Sequence, residues 1–394
     1  MATSHLSMTS LEDAVDPYPL YRQLRDEAPV FHDLERDQYV VTRFDDVYAV
    51  LGDHRRFSNV PVEVASDPSK RISPILHRDP PEHTAMRRLV TPIFTPRALK
   101  ELQPHLDDVV GQLVDAADEL DVVECSSVFA VPLPGRITLD ILGLPVESHA
   151  AFHALTQERL MVLHVPDRAP KTIAEIRAEL WSIVEPVVQA RRRRPELDIV
   201  TMLVQAQEEQ GPEQMPDQMI VDMLLHVLTG GFETTQHLIE LLLSHLADHP
   251  ELWARLGEDR SLIDGAVEEM LRWESPVQWL HRRATVDAEI AGTPIPADGN
   301  VVVVYASANR DERQFDDPDE YQVDRNLKRH LAFSYGIHYC VGAPLTRYEV
   351  RTLLDQLLDR YARIERAGES RPWLKLGNFR GLAHVPVRLI RHAG

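Results

Sequence analysis

Residues 216–250 read PDQMIVDMLLHVLTGGFETTQHLIELLLSHLADHP, a nearly unbroken apolar run with helical spacing, and no other stretch limits the fold as tightly. The spacing predicts one helix, opened by Asp217 as N-cap and closed before Pro250. At about 1.5 Å per residue it runs on the order of 45 Å, the width of a whole domain. It is apolar on almost every face, yet it carries Asp222, His226, Glu233, His237 and Glu240. Those polar groups argue against a membrane span and for a helix threaded through the centre of a globular protein. The rest of the chain must supply enough helix to bury it.

The flanking patterns agree. A helix from Leu20 to Glu27, strands at Val30–Phe31 and Gln38–Thr42, and a helix from Phe44 to Leu51 come first. Mainly helical spacing follows from Pro80 to Gln189, including a helix from Ile173 to Ala190 kinked at Pro186. Strands return at Ala288–Ile290, Val301–Tyr305 and Val385–Ile390. The expected class is mainly α with a minor β region (α+β). No Gly/Ser-rich linker or repeat divides the 394 residues, so a single domain is expected, with 1–15 as a loosely ordered tail. A formal charge of -20 disfavours nucleic acid and anionic lipid as partners. The basic run Arg191–Arg194 reads as a solvated helix end. Two cysteines in unlike contexts and an N-terminus with no apolar core predict a cytoplasmic, membrane-free protein, expected as a monomer.

The stretch HLAFSYGIHYCVGAPLTRYE, residues 330–349, holds Cys340 between glycines at 336 and 342. Helical spacing begins after Gly342, and a thiolate just ahead of a helix start is stabilised by the dipole and by unpaired amides. Gly336 permits a positive φ or a close approach to a flat ligand, and Gly342 lets such a ligand lie against the helix start. His338 can donate to an acidic group at the ligand's rim. Alone, the loop leaves open a metal ion, a haem iron, a nucleophilic sulfur or an inert buried thiol. Zinc is the weakest of these, because His338 and Cys340 supply two ligands at most and no second CxxC or HxxxH supplies the rest.

Inside the long helix, TGGFETT at 229–235 sets Gly230 beside Gly231. Each mid-helix glycine costs about 1 kcal/mol relative to alanine, so a groove for a small ligand is one compensation and helix packing another. Thr234 can donate to the Gly230 carbonyl, and Glu233 beside it makes an acid–alcohol pair suited to proton delivery. Glu269 and Arg272 in EEMLR can pair at i,i+3, whether on the surface or buried. His83 and Arg87 share a helical face at i,i+4, and Arg282 and Arg283 add donors enough for a pair of carboxylates.

With these four motifs in this order, the chain resembles a cytochrome P450 of the soluble bacterial type, from DPYPLYRQLRDEAPV at residue 16 to FRGLAHVPV at 379–387. The resemblance implies haem b as cofactor, with Cys340 as thiolate ligand of its iron in a loop framed by Phe333 and Gly342. It implies His83, Arg87, Arg282 and His338 as holders of the haem propionates. Glu233 and Thr234 would handle protons and dioxygen, and Glu269, Arg272 and Arg325 would form the internal ion cluster. The implied activity is a monooxygenase taking two electrons from a ferredoxin and its NAD(P)H-driven ferredoxin reductase. One atom of O2 would enter a hydrophobic small molecule, usually as C–H hydroxylation. A peroxide-driven peroxygenase and a non-catalytic haem-thiolate sensor are the alternatives. Arg88, Arg97, Lys100 and Arg347 are expected to make the face near Cys340 basic. Ile75, Leu76, Met161, Leu163, Gly230, Gly231, Val277 and Trp279 are expected to line the pocket, within segments that include 157–167. Two residues depart from the family pattern: Ser334, where glycine is usual, and Gly230, where alanine is common.

Overall fold

The computed structural model describes residues 7–164, 168–326, 329–368 and 373–393. Residues 1–6 of the expected tail and 165–167 of the expected pocket segment lie outside the described residues. The long helix is Asp217–Asp248, 32 residues, most of them buried. Its N-cap is Pro216, one residue earlier than expected. Asp217 does not cap the backbone because its carboxylate accepts from Arg192 at 3.1 Å and Gln207 at 3.0 Å.

Helices Pro132–Leu142, His149–His164, Ile173–Arg193 and Ala343–Arg360 pack around this central helix. Their apolar faces merge into one core in which Phe129, Phe152 and Leu228 are fully buried. Gly231 explains part of the fit, since a Cβ there would lie 2.6 Å from Thr138 Oγ1 on the neighbouring helix. The two glycines therefore have different uses. Gly231 serves helix packing, whereas a Cβ on Gly230 would meet no atom within 4 Å beyond the backbone of its own helix turns.

Beside the helices lies a five-stranded sheet ordered Val30–Asp33, Gln38–Val41, Asn300–Val304, Trp279–Ala284 and Phe57–Ser58. The second and third strands run parallel and the other neighbours antiparallel. A three-stranded sheet of Val123–Glu124, Pro386–Arg391 and Tyr361–Arg366 closes the far side. No described helix is long and apolar enough to cross a membrane.

The expected loose tail is corrected over its described part. Met8–Asp13 is a helix with a Ser7–Ser10 capping box, and burial of Met8 and Leu11 against the sheet pins it. Trp279, expected in the pocket wall, is 7% exposed and packs in this same small core. Ile75, 5% exposed, is likewise part of the main core.

Candidate functional site

The cysteine loop is fixed from both ends. The Leu331 amide donates to Asn309 Oδ1 at 2.7 Å, the Ser334 amide to Leu331 O at 2.8 Å, and the Cys340 amide to Phe333 O at 2.9 Å. Gly336 sits at φ +75, and a Cβ there would lie 2.5 Å from the Leu51 carbonyl, so positive φ and close approach both demand glycine. Ser334 also adopts a positive φ, +63, which a non-glycine residue holds only at a cost. Its hydroxyl meets Tyr305 Oη at 3.2 Å.

Gly342 caps helix Ala343–Arg360, and the backbone amides of Gly342 and Ala343 at this helix start favour the thiolate of Cys340. Burial raises the thiol, while those two amides and then the cations Arg87 and Arg347 pull it back. The side chain is nonetheless open on one side. A Cβ on Gly342 would meet only that sulfur, at 3.9 Å, so the glycine keeps a face beside the sulfur clear. Arg347 lies over the Phe333 ring at 4.6 Å and pairs with Glu268 at 2.5 Å.

The expected carboxylate holders converge. The His83 and His338 rings are 4.3 Å apart between centroids. His83 Nε2 and both ring nitrogens of His338 are buried with no hydrogen-bond partner. Burial, then the charge of Arg282, pushes His338 down to about 2, and burial then Arg87 lowers His83. Arg282 is buried, donating to the His281 carbonyl at 2.7 Å and meeting no carboxylate among the described residues. Arg87 is placed differently: it donates to the carbonyls of Ile337 at 3.2 Å and Tyr339 at 2.6 Å, gripping the loop itself. Unsatisfied imidazoles, a lone buried guanidinium and a thiol ahead of a helix start are a donor set that fits haem, whose iron would take the thiolate and whose carboxylates would take the nitrogen donors. Among the described residues, no three His, Cys, Asp or Glu side chains group as a metal site of their own.

On the central helix, Thr234 Oγ1 donates to Gly230 O at 2.7 Å, as the sequence suggested. Glu233 points elsewhere. It is fully buried and takes the Gln157 amide on both oxygens at 2.8 and 2.9 Å, with Thr156 Oγ1 at 3.4 Å. His153 Nε2 lies 3.8 Å from the same carboxylate. Burial raises Glu233, against the nearby His237 and His153. Acid and alcohol are thus sequence neighbours on different faces of the helix, and Gln157 was not foreseen as a partner.

The ion cluster is buried, not superficial. Arg272 donates to Glu269 at 2.7 and 2.6 Å and to the carbonyls of Asn309, Pro318 and Glu320, while Arg325 reaches Glu269 at 3.0 Å. Of the remaining pocket candidates, Leu76, Met161 and Leu163 are half-buried, and Val277 bridges Phe379 in the β region.

Residues 146–385 match the family model described as Cytochrome P450. Cytochrome P450 109 of Bacillus spizizenii is 33% identical, over 96% of this chain and 93% of its own length. Cytochrome P450 monooxygenase PikC of Streptomyces venezuelae is 34% identical, over 95% and 91%. Among solved structures, CYP109E1 from Bacillus megaterium in complex with testosterone superposes with a TM-score of 0.84 at 32% identity, over 95% of this chain and 99% of that one. Likeness over the whole length, joined to the sulfur cradle and its unpartnered donors, places this chain in the cytochrome P450 family of monooxygenases.

Proposed function

We propose that this cytochrome P450 binds haem b through Cys340 and hydroxylates a hydrophobic small molecule with electrons supplied by a ferredoxin and its reductase. The observation that carries the reading is the Cys340 thiol just ahead of a helix start, in the same loop as His338, whose two ring nitrogens are buried with no partner. When bound, thiolate-ligated haem supplies the activation of dioxygen and the transfer of one oxygen atom to a C–H bond.

The chain's own residues do the rest. The amides of Gly342 and Ala343 favour the thiolate over the thiol. His83, Arg282 and His338 hold the propionates, and Arg87 fixes the loop between them. Thr234, facing the space left open at Gly230, positions a hydroxyl where protons are needed. Glu233, raised by burial, keeps a proton to higher pH than an exposed glutamate and so suits the role of donor. It reaches Thr234 only by releasing Gln157. The half-buried Leu76, Met161 and Leu163 supply apolar pocket wall, and relatives include a structure complexed with testosterone, itself apolar.

Ferredoxin docking is assigned to the exposed cations Arg88, Arg97 and Lys100. Arg347 is withdrawn from that set because Glu268 holds it against the protein at 34% exposure, whereas Arg97, paired with Glu101 at 3.0 Å, is 90% exposed and keeps its charge towards solvent. Exchanging Arg88 and Arg97 for glutamate should weaken ferredoxin-supported turnover about tenfold at low salt and flatten its salt dependence. The reading as a whole is tested by the spectrum of the reduced protein with carbon monoxide. A thiolate-type band, with substrate-dependent product formation from ferredoxin-supplied electrons, is the outcome we anticipate. Folded, haem-loaded protein without that band would end it.

A further inference from the structure

Among the described residues six arginines are buried: Arg25, Arg159, Arg272, Arg282, Arg310 and Arg380. Four meet a carboxylate: Arg25 with Glu312 at 3.2 Å, Arg272 with Glu269 at 2.6 Å, and Arg310 and Arg380 with Glu274 at 3.7 and 2.5 Å. Arg282 and Arg159 meet none. For Arg282 the missing anion would be a haem propionate, under the function proposed above. Arg159, on helix His149–His164, presents the same signature with no such account.

Arg159 is 4% exposed. It donates to the Ile72 carbonyl at 3.3 Å, and its Nε is buried with no acceptor. The nearby carboxylate, Asp222, is held by Arg177 at 2.7 and 2.9 Å. The two imidazoles beside it cannot balance the charge. Burial, then Arg159 itself, pushes His77 down to about 4 and His226 to about 3, so both are neutral at neutral pH. Burial lowers Arg159 only to about 10, so its charge remains. Arg71, which donates to the His77 carbonyl at 3.0 Å, adds a further cation and no anion. Burying a guanidinium without a partner is costly enough that such a group marks a site served from outside the chain.

The location fits a substrate end. Ser73 Oγ and His226 Nδ1, 3.0 Å apart, lay the 71–78 segment on the central helix one turn before Gly230. Leu76 adjoins His77, and the half-buried Leu163 lies one turn after Arg159 on the same face of its helix. From His226 to Thr234 the helix rises on the order of 12 Å.

We propose that Arg159 anchors an acidic group of the substrate, so that the molecule oxidised is an amphipathic carboxylic acid whose apolar body runs along the central helix towards Thr234. Oxidation then falls remote from the acid, on the order of 12 Å away. This rests on the monooxygenase reading, which the carbon monoxide spectrum of each protein checks separately. The test is the spin-state change of the ferric haem protein on titration with octanoic, dodecanoic, hexadecanoic and cholic acids and the methyl ester of each. Wild type should bind at least one acid about ten- to hundredfold more tightly than its ester. Arg159→Met should erase that preference while leaving ester binding in place, and Arg159→Lys should keep part of it. No acid preference in wild type, or one that survives in Arg159→Met, overturns the proposal. Equal loss of acid and ester in Arg159→Met overturns it too, because Arg159 would then only tether the 71–78 segment through Ile72. Should Arg159→Met fail to fold, the acid–ester ratio in wild type and in Arg159→Lys decides.

Discussion

The Glu269–Arg272–Arg325 cluster and the cradle of His83, Arg282 and His338 both bury polar nitrogen, yet they treat it oppositely. In the cluster each guanidinium nitrogen of Arg272 has an acceptor, and Glu269 receives two arginines and the Gln322 amide at 3.0 Å. In the cradle three imidazole nitrogens have none. A network complete within the chain holds the chain together, whereas an incomplete one is shaped for something the chain does not contain.

The contrast is easiest to break at Arg272. Arg272→Met leaves Glu269 with half its compensation and should cost about 3–5 kcal/mol in urea unfolding. By contrast, His338→Phe should leave unfolding nearly unchanged but speed haem transfer to a scavenging globin about tenfold, a hydrogen bond's worth. Equal effects on stability would erase the distinction between cluster and cradle.

Glu233 sharpens it, as a buried carboxylate satisfied by a neighbour yet assigned to chemistry. Glu233→Gln should lower turnover on the order of a hundredfold, about 2.7 kcal/mol, with little change in stability. Because burial raises this carboxyl, its donor form is lost as pH rises through that raised value. The wild-type rate should fall there and the variant's should not; identical pH profiles would remove Glu233 from proton delivery.

Glu349 is the intermediate case, 2% exposed with Oε1 unpartnered and burial pushing it up to about 8. Its folded value is above its unfolded one, so folding is favoured at low pH and the benefit drains away as pH climbs from the ordinary glutamate range to about 8. Glu349→Gln should raise stability near neutral pH by on the order of 2 kcal/mol and have no effect in acid, read from thermal unfolding across pH. The smallest effect belongs to Ser334. Glycine relieves about 1–2 kcal/mol of positive-φ strain but forfeits a hydroxyl contact of about 1 kcal/mol, so Ser334→Gly should be nearly neutral. Ser334→Ala loses the contact without relief and should be the less stable of the two.

Residue types with few alternatives were legible from sequence. An apolar run that long could only be a buried helix, and a cysteine between glycines ahead of a helix could be read as a ligand loop. Glu269 and Arg272 were legible as a pair, but their depth was not, because i,i+3 spacing is the same on a surface. The Gln157–Glu233 bond joins residues 76 apart and depends on how two helices cross, which no local pattern encodes. Trp279 shows the limit for strands: alternation puts side chains on two faces without saying which face meets Met8 and Leu11. The helix Met8–Asp13, six residues long, is too short for periodicity to reveal.

Asn309 joins the ion cluster to the start of the cysteine loop. Its carbonyl accepts from Arg272 at 3.0 Å, its side-chain oxygen takes the Leu331 amide at 2.7 Å, and its side-chain nitrogen reaches Ser275 Oγ at 2.9 Å. The segment leading to Cys340 is thereby tethered at Asn309, at Arg325 and again at Leu331. Loop ordering is an entropic cost met during folding, not at cofactor capture. Haem should therefore find a loop already in its final shape, and the affinity of that encounter need not be eroded by organising it.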